Sequence, residues 1–441
     1  MKRLLSLLLC AVLALFCATT AQAAGVSITL TASEYALHYA FDAGAQDPFV
    51  ILEYATPAEK GWMMLYSEDG HFEGDVSLAY SGAGGKTSVA LTSARTTGSI
   101  GKASTTLPKA ADYQKPTGKS NAKVTDFVLT ETPEGFHYAF NAIGTDYMLL
   151  YWRSKEQTVT QPVYPDENGH YEGDVVSELT FARTQFTVQV KSGSGSMKKE
   201  ATVRKGYQAP EAPQRQEGRL SGVTVCIDAG HQENGRFVNE PIGPGLTGST
   251  SGKGGMAQGT KTNRRESIVC LEIGMLLRDE LLRQGANVIM TREDQTTFHT
   301  NIERCEIAEA GGAQIMLRLH CNNSSNRSKR GIQVYGPLNS DYAKAVADAD
   351  IYREMGQKLL DAMKTRVGMT LANSTGMVRL NDNYVGNNWA KMMCFLVEMG
   401  YLSNPAEEYL LVTPVYQQWL AEGMADGVYE IAVARGWVQA Q

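Results

Sequence analysis

Beyond its first two dozen residues, this chain of 441 residues has no stretch apolar enough to cross a bilayer, which takes about 20 such residues in a row. Excess positive charge is also missing. Lys and Arg number 41 against 47 Asp and Glu, for a net charge of −6, and no basic run stands out. That leaves no electrostatic footprint for nucleic acid or for an anionic membrane surface. A disulfide framework is lacking too. Of seven cysteines, Cys10 and Cys17 fall in the first two dozen residues, and Cys226, Cys270, Cys305, Cys321 and Cys394 all lie in the second half. An odd number at strand and helix positions reads as small buried hydrophobes, with one opportunistic disulfide as the alternative.

What is present begins with a leader. Lys2 and Arg3, the apolar run Leu4 to Phe16, and Ala21-Gln22-Ala23 have the layout of a secretory signal over 1–23. The apolar run is too short to span. The expected destination is therefore outside the cytoplasmic membrane, as a secreted or cell-envelope protein without stable membrane insertion. An internal repeat follows. His38-Tyr-Ala-Phe-Asp-Ala43 returns 99 positions later as His137-Tyr-Ala-Phe-Asn-Ala142, and Gly70-His-Phe-Glu-Gly-Asp-Val76 as Gly169-His-Tyr-Glu-Gly-Asp-Val175. Short alternating runs between Asp-Gly and Asn-Gly turns predict two all-β, sandwich-like modules, 26–105 and 123–206. Segments 104–122 and 206–218, rich in Pro, Lys, Gln and Ser, read as linkers. His71, Glu73 and Asp75, with His170, Glu172 and Asp174, alternate along strands and read as a solvated face opposite Phe72 and Val76, with a metal or glycan site as the alternative.

From Leu220 the pattern changes to alternating strands and helices. Strands are predicted at 222–228, 286–291, 313–320, 331–336 and 393–398, and helices near 264–284, 301–311, 341–366 and 414–434. Thr413-Pro414 looks like a cap followed by proline in the first turn. Such alternation implies an α/β domain over 220–437, with a mostly parallel twisted sheet covered by helices on both faces.

Four residues carry the chemistry. Val223-Thr-Val-Cys-Ile-Asp-Ala-Gly-His231 is a buried-type strand ending in a polar turn, His320 closes Ile315-Met-Leu-Arg-Leu319, and Glu398 closes Met393-Cys-Phe-Leu-Val397. All three fall at the carboxyl ends of strands, where open α/β sheets build their sites. Glu266 heads a helix. Asn263-Arg-Arg-Glu266 is also a plausible capping box, yet Glu266 shares a stripe with Val269, Cys270, Ile273, Leu277 and Leu281. A carboxylate on a core-facing stripe needs compensation, which a metal provides. Cys321 competes with His320 as a ligand, but neighbours on a strand face opposite ways, so only one can serve. Asp228 is a candidate partner behind a ligating histidine. Two histidines and a carboxylate make a zinc site with one open position, and a further acid supplies proton transfer.

These residues resemble the zinc-dependent N-acetylmuramoyl-L-alanine amidases of the family-3 type. The resemblance runs through Ile227-Asp-Ala-Gly-His231, Glu266 before Ile268-Val-Cys-Leu-Glu-Ile, Val288-Ile-Met-Thr-Arg292, Arg304, His320-Cys-Asn-Asn323 and Leu396-Val-Glu-Met-Gly-Tyr-Leu-Ser-Asn404. It implies one zinc per chain held by His231, Glu266 and His320, Glu398 as the general base and then acid, and peptidoglycan as the substrate. Gln232 departs from the usual glycine, and 34 residues with eight glycines between Gly235 and Gly259 separate the first two ligands. The rival expectations are a wall-binding protein that keeps the fold without catalysis, and a zinc peptidase cutting within the stem peptide. The repeats are expected to act in placement, holding the enzyme to the cell wall or spacing it from an anchor.

Overall fold

The computed structural model describes residues 19–21, 25–78, 81–111, 123–132, 135–143, 148–153, 158–176, 185–191, 197–204, 210–232, 238–250, 255–262, 264–368 and 377–440. They fall into two units, Met1–Ser93 with Gly98–Lys205, and Ala94–Thr97 with Gly206–Gln441. The expected leader lies outside the described residues except for 19–21.

In the first unit, the chain runs through β1 (Thr19–Ala21), β2 (Ile28–Ala32), β3 (Ala36–Asp42), β4 (Phe49–Ala55), β5 (Glu59–Tyr66), β6 (His71–Ser77), β7 (Gly85–Ser93) and β8 (Ser99–Leu107). The second repeat supplies β9 (Lys123–Thr132), β10 (Gly135–Ile143), β11 (Met148–Arg153), β12 (Thr158–Val163), β13 (His170–Val176), β14 (Gln185–Lys191) and β15 (Met197–Arg204). Each repeat splits into two layers. One is β1-β2-β3-β6 in the first repeat and β13-β10-β9 in the second; the other layers join edge to edge as β15-β14-β11-β12-β5-β4-β7-β8. The seam is short, with Thr158 opposite Lys60 and Val159 opposite Glu59. Each repeat keeps its own core, and the same stacked pair recurs in both: Phe41 on Phe72 at 4.9 Å and Phe140 on Tyr171 at 4.6 Å.

The second unit contains β16 (Thr224–Ala229), α1 (Glu266–Arg283), β17 (Asn287–Met290), α2 (Asn301–Ala310), β18 (Ile315–Asn322), β19 (Gln333–Gly336), α3 (Asp341–Val346), α4 (Ala349–Val367), β20 (Met377–Leu380), α5 (Val385–Trp389), β21 (Met393–Tyr401), α6 (Glu407–Leu410) and α7 (Pro414–Ala434). The sheet order is β17-β16-β18-β21-β19-β20; β19 is antiparallel to β21 and the other pairs are parallel. Successive strand residues face opposite sides. Ile227, Ala229 and Leu319 meet α1 at Gly274, where an added Cβ would stand 3.5–3.6 Å from them. On the other side Cys226, Met316 and Cys394 pack with Cys305 and Ala308 of α2 and with Trp389 of α5. All five cysteines of this unit are free and buried.

Several expectations change. The single helix expected at 341–366 is two, because Asp348 caps α4 by accepting a hydrogen bond from the Ile351 N–H at 2.9 Å. Thr413 occupies the N-cap of α7 with Pro414 in the first turn, but its hydroxyl caps no N–H and instead donates to the Tyr409 carbonyl at 2.8 Å. Residues 104–107 are strand rather than linker. The stretch 210–218 is docked on α1, with the Arg278 guanidinium donating to the Pro210 carbonyl at 3.0 Å and the Gln216 N–H to Leu282 at 3.0 Å.

Candidate functional site

β16 delivers His231 through Gly230. His231 holds φ at 57°, a left-handed conformation that a bulky side chain adopts only where its surroundings impose it. The imposing groups are two buried arginines. Arg292 donates from Nε to the Ala229 carbonyl at 2.7 Å and from Nη2 to Gly230 at 2.8 Å, while Arg304 reaches the His231 carbonyl at 3.3 Å and the Gln232 side chain at 2.6 Å. Consecutive carbonyls at the end of the strand are thus taken by guanidinium groups, which fixes the turn.

α1 brings its first residue, Glu266, against this turn. Asn263 lies outside the described residues, and the residue before the helix is Arg265, with no side-chain cap. The Glu266 carboxylate instead faces the histidines. Oε2 lies 3.1 Å from His231 Nε2 and accepts the Ala257 N–H at 2.7 Å; Oε1 lies 3.0 Å from His320 Nδ1 and accepts the Cys321 N–H at 3.0 Å. Cys321 therefore contributes its backbone only, and its thiol is buried beside Cys270. Burial works to raise the Glu266 pKa, but the hydrogen bonds from His231 and His320 outweigh it and hold the carboxyl well below the usual range. Burial lowers His320, and Glu266 opposes that shift.

His320 sits beside Glu398 in the β18–β21 register. Burial pushes the Glu398 carboxyl well above its ordinary value, and the neighbouring charge of Glu266 adds to the shift. Glu398 Oε2 and His320 Nε2 are both shut off from solvent without a hydrogen-bond partner. Gly230 packs against the Nε2 side of the His320 ring, so Nδ1 is the nitrogen turned to Glu266. The donor atoms of His231, Glu266 and His320 all lie within 4.8 Å of one another, the only such group of three found among the described residues. All four residues singled out from the sequence meet here.

Asp228 does not stand behind a histidine. Fully buried, it accepts from Arg304 Nη1 at Oδ1, from Arg318 Nε at Oδ2 (2.9 Å), and from the Thr291 hydroxyl (2.8 Å). Burial would raise its pKa; the two guanidinium groups hold it far below the carboxylate range. Arg318 continues to Asn301 at 2.6 Å, and Asn301 to Glu240 at 2.7 Å. The glycine-rich segment is tied down at both ends of its described part, through Glu240 on α2 and through Glu408, which accepts from the Lys261 N–H at 2.9 Å. Arg318 was visible in the sequence as a lone charge inside an apolar strand; its partner was not.

Residues 225–430 match the family Amidase_3, N-acetylmuramoyl-L-alanine amidase. The chain is 26% identical over 231 residues to the germination-specific N-acetylmuramoyl-L-alanine amidase of Bacillus subtilis, covering 49% of this chain and 83% of that protein. It is 27% identical over 218 residues to the probable cell wall amidase LytH of Staphylococcus aureus, covering 48% of this chain and 60% of that one. Among solved structures, an N-acetylmuramoyl-L-alanine amidase from Clostridium difficile 630 is 24% identical, with a TM-score of 0.38, over 48% of this chain and 96% of its own. Ami1 from Mycobacterium smegmatis is 18% identical, with a TM-score of 0.43, over 49% and 99%.

Proposed function

We propose, from a C-terminal half that belongs to the Amidase_3 family, that this chain is a secreted peptidoglycan hydrolase of the cell envelope. It cleaves the amide bond between N-acetylmuramic acid and the L-alanine of the stem peptide. The observation that carries the reading is the convergence of His231, Glu266 and His320 beside a buried, unpaired oxygen of Glu398. This donor set fits zinc: His231, Glu266 and His320 would hold it, two imidazoles and a carboxylate being the ligand types of catalytic zinc sites that also bind a water or substrate. Both Glu266 oxygens already face an imidazole nitrogen, an arrangement that a shared cation stabilises. When bound, zinc supplies Lewis-acid polarisation of the scissile carbonyl and brings the pKa of a water towards about 7.

The chain's own groups do the rest. Arg292 and Arg304 fix the His231 turn, and the Ala257 and Cys321 N–H groups fix the Glu266 carboxylate, so the donors need not reorganise. Glu398 has the proton affinity of a carboxyl in a dry, negatively charged setting. It accepts a proton from the attacking water and returns it to the leaving amide nitrogen. The repeats hold the enzyme at its substrate or space it from an anchor, raising the local substrate concentration without touching the reacting bond.

The test pairs metal content with product analysis. Dialysed protein should carry about one zinc, lost in His231→Ala and in His320→Ala, whereas Glu398→Gln should keep it and lose roughly 10²–10⁴-fold in rate. Digested muropeptides should show free lactyl-muramic ends. Cuts inside the stem peptide would identify a peptidase, unchanged muropeptides a binding protein, and full zinc occupancy in both histidine variants would remove the ligand set.

A further inference from the structure

The outward face of each β-repeat carries one constellation, built twice. On the β3–β6 pair, His38 lies opposite Asp75, Ala40 opposite Glu73 and Asp42 opposite His71. On β10–β13, His137 lies opposite Asp174, Ala139 opposite Glu172 and Asn141 opposite His170. Both histidines of each repeat turn Nε2 to the same glutamate. The distances are 3.4 Å (His38) and 3.7 Å (His71) to Glu73, and 3.2 Å (His137) and 3.7 Å (His170) to Glu172.

The other ring nitrogens settle where the protons are. His38 Nδ1 lies 3.1 Å from Asp75, His71 Nδ1 2.7 Å from Asp42, and His137 Nδ1 2.9 Å from Asp174. An ionised carboxylate only accepts, so these Nδ1 atoms carry hydrogen. His170 Nδ1 lies 2.8 Å from Asn141 Oδ1, and Asn141 is oriented by donating its own Nδ2 to Asp126 at 2.9 Å. In the neutral rings all four Nε2 atoms are therefore lone pairs, each pointing at a carboxylate oxygen. Acceptor faces acceptor, twice per repeat, unless the ring takes a second proton, which the hydrogen bonds to Asp42 and Glu73 favour at His71. A cation between them removes the conflict, and a histidine braced through its far nitrogen by a carboxylate or amide is how proteins orient metal ligands.

Packing does not explain why both repeats keep these residues. It does explain their neighbours: a Cβ at Gly74 or Gly173 would come within 2.8 or 2.7 Å of the Tyr39 or Tyr138 hydroxyl. Elsewhere the repeats have diverged, with Ile28 matched by Phe127 and, in the β4–β7 and β11–β14 registers, Tyr54 by Trp152. The polar face gains nothing from the core and is retained.

We propose that each repeat binds a divalent transition-metal ion of the zinc class, through His38, His71 and Glu73 in one and His137, His170 and Glu172 in the other. Their donors are not gathered as tightly as the catalytic group, so binding closes the site by side-chain rotation. His38, His71 and Glu73 have room for that, at 37%, 51% and 58% exposure. Such sites are weaker than the catalytic one and empty on dialysis. The first repeat fills first, because Asp42 brings a charge that Asn141 lacks.

The experiment titrates the full chain bearing His231→Ala and His320→Ala with Zn²⁺ by calorimetry, and with Co²⁺ by visible absorption. Two equivalents should bind. Adding His38→Ala and His137→Ala should abolish both, and Asp75→Asn should weaken one by roughly 10–100-fold while sparing the other. Zinc-loaded wild-type chain serves if the catalytic-site variant does not fold, and should take up the same two equivalents above its tight one. Neither titration depends on hydrolysis, so failure of the amidase reading leaves this result standing. No uptake in either chain, or uptake of both equivalents that survives His38→Ala with His137→Ala, would overturn the proposal.

Discussion

Asp228→Asn should cost the C-terminal unit about 3–5 kcal/mol, the penalty for breaking a buried ion pair from one side. The wild-type carboxylate is fully buried between two guanidinium groups and the Thr291 hydroxyl. The amide keeps the shape but drops the charge. It also sets an N–H₂ against Arg304 or Arg318, each of which only donates, so one buried arginine keeps only its neutral partners and neither keeps a carboxylate. Against a typical total of about 5–15 kcal/mol, that is a large share. Thr291→Val removes a single neutral hydrogen bond and should cost about 1 kcal/mol, which sets the scale. Urea unfolding with reductant present, followed at the transition of the C-terminal unit, measures both. Because the folded pKa of Asp228 is depressed, its contribution is fully present above the unfolded value of about 3.9 and is lost as pH falls below it. The loss on mutation should therefore be the same at pH 6 and pH 8. Zinc affinity should fall as well, since Arg304 also holds the His231 carbonyl. A loss under about 1 kcal/mol would refute the claim that Arg304 and Arg318 are uncompensated buried charges without Asp228.

Two further perturbations test the same frame. Gly230→Ala would place a Cβ 2.6 Å from His320 Cε1 and 2.7 Å from Nε2, so zinc affinity should drop by roughly tenfold or more; unchanged metal binding would mean that the ring is not held by this contact. Burial raises Glu407 to about 7, against opposing hydrogen bonds from Tyr401 and Gly331 and the charge of Arg330. A raised folded pKa favours the folded state most at low pH, so up to about 3 kcal/mol of stability should be lost between about pH 4.5 and 7. Glu407→Gln should flatten that slope in urea midpoints taken from pH 5 to 8, and an unaltered slope would assign it to another group.

Much of the site was legible because each member ends a run. His231 follows β16, His320 and Glu398 close the apolar runs within β18 and β21, and Glu266 opens a helix whose buried stripe includes it. α7 spans the expected 414–434 because its apolar pattern is uninterrupted and Pro414 marks its start. What stayed hidden depends on partners far along the chain. Asp228 meets Arg304 and Arg318 from elements 76 and 90 residues away, and no local spacing records that. Two hidden features were local. Asp348 divides α3 from α4 inside a pattern that reads as continuous helix, and β20 and α5 are too short for periodicity to announce them. The β5–β12 seam depends on two edges matching in space, which duplication alone does not reveal.

The five buried thiols make the fold a guard as well as a scaffold. Cys226, Cys305 and Cys394 share one cluster on the α2 side of the sheet, and Cys270 adjoins Cys321 on the other. Burial raises every one of them, so none is a ready thiolate while the unit is closed. In an oxidising medium that protection ends when the unit opens. Exposed thiols then become able to cross-link or to climb the oxidation ladder. Where that chemistry outpaces reclosing, each opening becomes a one-way exit and the working lifetime follows the rate of unfolding; where it does not, the lifetime follows the equilibrium population of the open unit.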